Sequence, residues 1–400
     1  MSVQARIIWD QELTEYNFGD THPMKPVRLE LTAALCRAFG LFDGPDVEVV
    51  SPPQATDEQL LTVHEADYLE AVQEASVDPS LAQPIYGLGT DDDPAFAGIH
   101  EVSARIAGGT LDVAQAVWQG RSKHGVNFCG GLHHAMPGYA SGFCIYNDAA
   151  VAIQWLLDNG AKRVAYVDID VHHGDGVERI FWDDPRVLTI SVHETGMVLF
   201  PGTGFAHEVG GAQAAGTAVN LALPPGAGDG PWLRAFHAVV PALLRSFAPD
   251  VLISQHGADS HVLDPLAHMS LSVDAQRVAA ESLHDLAHEV CGGRWVALGG
   301  GGYEVIGVVP RTWTHLTAIA LHRPIDLETP VPAAWIDMVR ARFGEKPHVP
   351  TMMGDGVAER GRVWYRSWEV GVDPENPIDR AVLATRQATF PANGIDIWFG

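Results

Sequence analysis

RVAYVDIDVHHGDG, residues 163–176, is a short apolar run that ends abruptly in carboxylates and imidazoles. It reads as a buried strand delivering polar side chains at its carboxyl end. Seven further runs have the same character: RIIWD near residue 8, VEVVS near 49, GVNFC near 127, VLTISVH near 190, AVNLAL near 220, VLISQHG near 253 and RWVALGG near 297. Helical stretches alternate with them. Pro26 can open one that Gly40 closes, and Asn147 can cap one running to Gly160. Asp229 or Gly230 with Pro231 opens another, and Ser272 precedes one ending near Cys291. Such alternation predicts an α/β protein with a single eight-stranded parallel sheet and helices on both faces.

After about residue 325 the alternation stops and prolines recur from Pro324 to Pro391. Trp335, Trp364, Trp368 and Trp398 predict that this segment still packs on something. The expected division is therefore a main domain over 1–325 and a C-terminal extension, packed on the core, over 326–400.

The 400 residues are 46% hydrophobic and 19% charged, the profile of a globular chain with a large core. With 25 basic and 50 acidic residues the formal charge is −25, which repels a phosphate backbone and argues against nucleic-acid binding. The same field suits a cationic substrate or a neutral side chain displayed among lysines, although acidity also simply aids solubility. The start, MSVQARIIWDQEL, lacks the basic and apolar regions of a signal peptide, and no apolar stretch has the roughly 18 residues of a membrane span. Cys36, Cys129, Cys144 and Cys291 form no C-x-x-C pair, which fits a reducing, cytoplasmic location without a membrane.

In an open parallel sheet, ligands bind beyond the carboxyl ends of the strands. Four of the runs here end in chemistry. GVNFC leads to GGLHHAMPG, RVAYVDID to VHHGDG, VLISQHG to ADSH, and RWVALG to GGGYE. Asp170 and His172 are two apart, so on extended chain their side chains share a side. With Asp259 from another strand end they make a three-ligand set with an open position, the pattern of catalytic zinc. An ion-paired aspartate cluster without metal is the plainer alternative. Asp168 and Asp175 remain to stand behind His133 and His134, fixing each tautomer as in catalytic dyads. Tyr303, after four glycines, offers a hydroxyl donor for an oxyanion. Phe143 and Phe200 are candidate walls of an apolar slot.

HHAMPGYASGFCIYND, DIDVHHGDGVERIFW, LFPGTG, QHGADSHVLDP and GGGGY together resemble the histone-deacetylase superfamily, in particular its bacterial acetoin-utilisation branch, which is similar to the class I zinc-dependent deacetylases. HPMKP-x-R from His22 and YGLGTDDDPAF from Tyr86 resemble the entrance loops, and the likeness covers roughly residues 5 to 320. It implies an arginase/deacetylase-like fold and zinc-dependent hydrolysis of acetyl-lysine in proteins, with iron(II) as the alternative ion. Asp170, His172 and Asp259 would hold that ion. His134 with Asp175 would be the general base and acid, His133 with Asp168 the electrostatic partner, made less basic than His134 by a potassium ion sharing Asp168, and Tyr303 the carbonyl polariser. Gly142, Phe143 and Phe200 would flank the substrate channel, Asp91 or Asp93 would grip substrate at the rim, and Arg28 would line the acetate exit. An inner potassium site would use Asp168, Asp170, His172, Ser191 and Val192, and a second would use Phe181, Asp184 and Val187. Acetylated enzymes, an acetyl-CoA synthetase among them, would be partners.

Three features depart from the family pattern: His256 in place of an apolar residue, a longer loop from Thr90 to Pro94, and the tail past Ile325. Three other activities compete. One is hydrolysis of acetylated polyamines or other small amides, another is non-catalytic acyl-lysine binding, and the third is binuclear manganese hydrolysis on the shared fold.

Overall fold

The computed structural model describes residues 3–344, 348–359 and 362–398. The strands are β1 (Val3–Ile8), β2 (Val47–Val50), β3 (Ser122–Asn127), β4 (Val164–Asp168), β5 (Val187–Glu194), β6 (Ala218–Leu223), β7 (Val251–Gln255) and β8 (Trp295–Leu298). Each corresponds to one of the eight apolar runs. They form one sheet in the order β2-β1-β3-β8-β7-β4-β5-β6, and every pairing is parallel. β4, β5 and β7 are buried along their whole length, as expected of strands covered on both faces.

The helices are α1 (Val27–Ala38), α2 (Asp57–Leu60), α3 (Ala66–Val77), α4 (Ile99–Trp118), α5 (Asp148–Asp158), α6 (Asp175–Ile180), α7 (Asp229–Phe247), α8 (Val273–Cys291), α9 (Val309–Ala320), α10 (Ala333–Phe343) and α11 (Pro377–Thr389). α4 packs on α3 and α5, while α1, α9, α8, α7 and α11 pack in succession. Both groups reach β3 and β4, so they cover opposite faces. The caps follow local chemistry. The Asn147 side chain accepts from the Ala150 N–H, and Ser272 accepts from Ala275 N–H, each quenching an amide that helix geometry leaves unpaired. Among the described residues no helix is long and apolar enough to cross a membrane.

Register fixes the site. Asn127 pairs with Leu298, Leu298 with Gln255, and Gln255 with Asp168. These four residues end β3, β8, β7 and β4, which are consecutive in the middle of the sheet. The four polar motifs therefore leave the sheet from a single row of residues.

The segment after 325 lies on the body through specific contacts. The Trp335 indole donates to the Leu31 carbonyl in α1, and Thr385 in α11 donates to Asn220 O in the edge strand β6. Trp335 and Trp368 are buried. Trp364 and Trp398 are 80% and 48% exposed, so two of the four tryptophans make the packing. Arg234 of α7 makes a bidentate pair with Asp379 at 2.7 and 2.9 Å and also donates to the Arg366 and Gly371 carbonyls. Both side chains of the pair are almost wholly buried. Asp379→Ala should therefore leave the guanidinium without its countercharge and destabilise the chain by about 3–5 kcal/mol, read from the urea midpoint. A loss below about 1 kcal/mol, the range of a solvent-screened pair, would contradict this anchor.

Candidate metal centre and active site

Past the end of β4 the chain bends through residues 170–172, and its backbone amides serve the carboxylates. Asp168 Oδ1 accepts from Asp170 N–H, and Asp170 Oδ1 accepts from His172 N–H, each at 3.0 Å. Asp170 Oδ2 accepts from Gly301 N–H at 2.7 Å, and Asp259 Oδ1 from Val171 N–H at 3.0 Å. His172 Nδ1 lies 3.3 Å from Asp170 Oδ1 and 3.1 Å from Asp259 Oδ2. Both carboxylates are 0% exposed. The three ligand atoms all lie within 4.8 Å of one another.

Two buried carboxylates this close need a cation. Burial and the neighbouring Asp170 charge push Asp259 up to about 7, and His172, against the effect of burial, is pushed up to about 10 by Asp170 and Asp259. On the chain's own charges a proton is drawn to the place between them. With neutral His172, the set carries the two negative charges that match a dication. The donor set fits a divalent metal.

Asp148, at the start of α5, ties down the histidine loop by accepting from the Gly131 and Leu132 amides at 3.0 and 2.7 Å. Asn147 Nδ2 donates to Ala135 O, and Gly176 N–H to His133 O. The loop thus aims both rings. His133 Nδ1 is 2.7 Å from Asp168 Oδ2, which also accepts from the Tyr166 hydroxyl, and His134 Nδ1 is 2.6 Å from Asp175 Oδ1. The charges of the chain alone set the two rings apart. Against the effect of burial, Asp168 and Asp170 together push His133 up to about 9, whereas burial and the neighbouring His133 push His134 down to about 4.

Tyr303 follows Gly300 and Gly302, whose φ angles of 137° and 140° exclude ordinary side chains. Arg28 holds this loop from beneath, donating to both glycine carbonyls at 3.0 Å while buried 5.1 Å from the Trp313 ring. Asp264 accepts from the Tyr303 amide at 2.8 Å. Phe143 meets Tyr303 edge-on at 5.8 Å, and Phe200 stands 5.0 Å from His134 and 6.4 Å from His172. Gly142, with φ 57°, passes against the His134 ring, where a side chain would collide. His133, His134, Asp170, His172, Gly142 and Tyr303 line one narrow cavity.

Other expected residues fall outside this group. Asp93 is 1% exposed and pushed up to about 8 by burial and by Asp92, so it faces the interior and not the rim. Asp91 is exposed. Asp92, between them, accepts from Gly142 N–H at 2.9 Å. Ser191 and Val192 lie on β5 beside Asp168, and the Ser191 hydroxyl is 2.8 Å from His193 Nδ1. The Phe181 and Asp184 carbonyls, in the turn leading to Val187, already accept from Asp184 and Val187 amides. His256 is a satisfied core residue: Nε2 is 2.8 Å from Ser254 Oγ, and its carbonyl accepts from the Trp313 indole. A cavity of about 830 Å³ lies elsewhere, between α8 and residues 326–358, and holds none of these groups.

Comparison with known proteins gives the family. Residues 22–320 match the histone deacetylase domain family. The acetoin utilization protein AcuC of Bacillus subtilis (strain 168) is 43% identical over 331 residues, 82% of this chain and 84% of that protein. AcuC of Staphylococcus aureus (strain MSSA476) is 38% identical over 339 residues, 84% and 86% of the two chains. AcuC of Staphylococcus xylosus is 38% identical over 312 residues, 77% and 80%.

Asp259→Ala removes a buried ligand and half of the negative charge of the centre. The expected outcome is a metal content lower by one ion per chain than wild type, measured by elemental analysis, with the fold retained by circular dichroism. An unchanged metal count would contradict the ligand set.

Proposed function

The chain belongs to the histone deacetylase domain family, a family of hydrolases, and on that premise we propose that it hydrolyses the acetyl amide of N6-acetyl-lysine in proteins, releasing lysine and acetate. One observation carries the reading. A three-ligand centre of Asp170, His172 and Asp259 meets, through Asp170 and His172, a narrow cavity that two aspartate-backed histidines and Tyr303 also line. A divalent ion held there, zinc in our reading with iron(II) accepted by the same ligands, would supply Lewis acidity toward the amide carbonyl and the attacking water.

The chain's own residues do the rest. With Nδ1–H given to Asp175, His134 keeps Nε2 as the acceptor, takes a proton from the attacking water and passes it to the departing lysine amine. His133, between Asp168 and Asp170, supplies positive charge beside it. The Tyr303 hydroxyl donates to the oxygen on which negative charge develops. Phe143 and Phe200 take the apolar stem of the lysine, and Asp92 and Asp91 lie near the mouth as acceptors for substrate backbone. Arg28, behind Tyr303, borders the way out for acetate. A potassium ion among Asp168, Asp170, His172, Ser191 and Val192, and a second at Phe181, Asp184 and Val187, belong to the same proposal. The acidic surface suits lysine-rich neighbours, and an acetylated cytoplasmic enzyme such as an acetyl-CoA synthetase is the proposed partner.

Turnover of acetyl-lysine peptides against acetylated polyamines tests the substrate class, with peptides expected to be the better substrates. Faster turnover of the polyamines would assign the chain to small amides. Tyr303→Phe should keep fold and metal yet lose about 100- to 1000-fold in kcat. A loss under about tenfold would remove the hydroxyl from the mechanism. At equal metal content, His134→Ala should lose about 100- to 10000-fold, and far more than His133→Ala. The reverse order would exchange the two roles.

A further inference from the structure

A second group of metal-ligating side chains lies at the opposite end of the sheet. His124 is near the start of β3, whereas His133 and His134 follow that strand's other end. His284 and His288 are one turn apart on α8, so they share a face. His322 follows α9 in a left-handed conformation, φ 55°. Although distant in sequence, the four present the same atom to one point.

His124 Nε2 is 3.2 Å from His288 Nε2, His288 Nε2 is 3.3 Å from His322 Nε2, and His322 Nε2 is 2.9 Å from His284 Nε2. In a tetrahedral site with metal–nitrogen bonds of about 2.0–2.1 Å, ligand nitrogens stand about 3.3 Å apart. Each Nε2 carries either one proton or one lone pair, so protons can link these rings only in pairs. A single cation accepts all four nitrogens.

The outer contacts fit too. His124 Nδ1 is 2.6 Å from the Ala320 carbonyl, which fixes Nδ1–H and turns the Nε2 lone pair into the cluster. His284 Nδ1 is within 3.4 Å of Asp285 Oδ1. Oxygen acceptors behind ligating imidazoles are the usual orienting arrangement. Trp295 walls one side, edge-on to His124 and His284. His288 and His322 are exposed, which leaves an entry path for an ion.

We propose that His124, His284, His288 and His322 form a structural site for a divalent ion that favours imidazole, zinc foremost, separate from the active site. Four protein ligands leave no open position, so the ion would perform no chemistry. It would instead clip the start of β3, the face of α8 and the turn after α9 together.

The test uses the full chain, stripped with chelator, reloaded with zinc, desalted and analysed for metal. Wild type should hold two zinc ions. The double variant His284→Gln/His288→Gln should hold one, keep wild-type deacetylase turnover and lose part of the zinc-induced rise in Tm. His322→Asn, exposed and compatible with the left-handed backbone, gives the same reading if the double variant does not fold. Cobalt(II) loaded into Asp259→Ala should show tetrahedral visible bands, and these should vanish when the His322→Asn change is added. A zinc count and cobalt spectrum indifferent to the histidine substitutions would overturn the proposal.

Discussion

Asp170 and Asp259 are both fully buried and share one imidazole, and the rest of the site is organised by the cost of placing two like charges there. Backbone amides of His172, Val171 and Gly301 each give a hydrogen bond to these carboxylates. Gly301 can approach because a side chain there would collide with Asp259, and Gly257 is likewise pressed against Asp170. What amides cannot supply is net positive charge. The centre is therefore built to hold a dication, and the shape of its surroundings preserves that need.

The sheet explains why such a centre forms at all. Four consecutive strands stop in one row, and each hands a different function to the space above it. β4 gives two ligands and both histidine-backing aspartates, β7 the third ligand, β3 the histidine pair and β8 the tyrosine. A parallel sheet aligns these ends without any requirement that the residues be close in sequence. Supports reach in from helices: Asp148 at the start of α5 holds the histidine loop, and Arg28 in α1 holds the glycine loop.

Much of this was legible from residues alone, for physical reasons. Buried parallel strands are short β-branched runs, so all eight showed. Helices with local punctuation also showed: Pro26 and Pro231 mark the starts of α1 and α7, and side chains cap α5 and α8. α4 did not: it begins after Gly98 without a side-chain cap and carries Gly108–Gly109 inside, where the helix backs tightly onto Pro53 and Ile8. α9 is likewise uncapped by a side chain. The ligands were readable because carboxylates at apolar strand ends demand a partner. The rim was not, since Asp91, Asp92 and Asp93 are alike in sequence and only the fold turns Asp93 inward. The four tryptophans past residue 325 told that the segment packs but not which of them do: Trp335 and Trp368 are buried, Trp364 and Trp398 open. The four-histidine cluster left only the one-turn spacing of His284 and His288 as a sequence trace.

Anomalous diffraction from crystals of active enzyme, collected on both sides of the zinc edge, tests the central claim most directly. The account expects a strong peak about 2.0–2.3 Å from Asp170, His172 Nδ1 and Asp259, with an open position toward His134 and Tyr303. Active crystals with no anomalous scatterer at any metal edge in that place would contradict it.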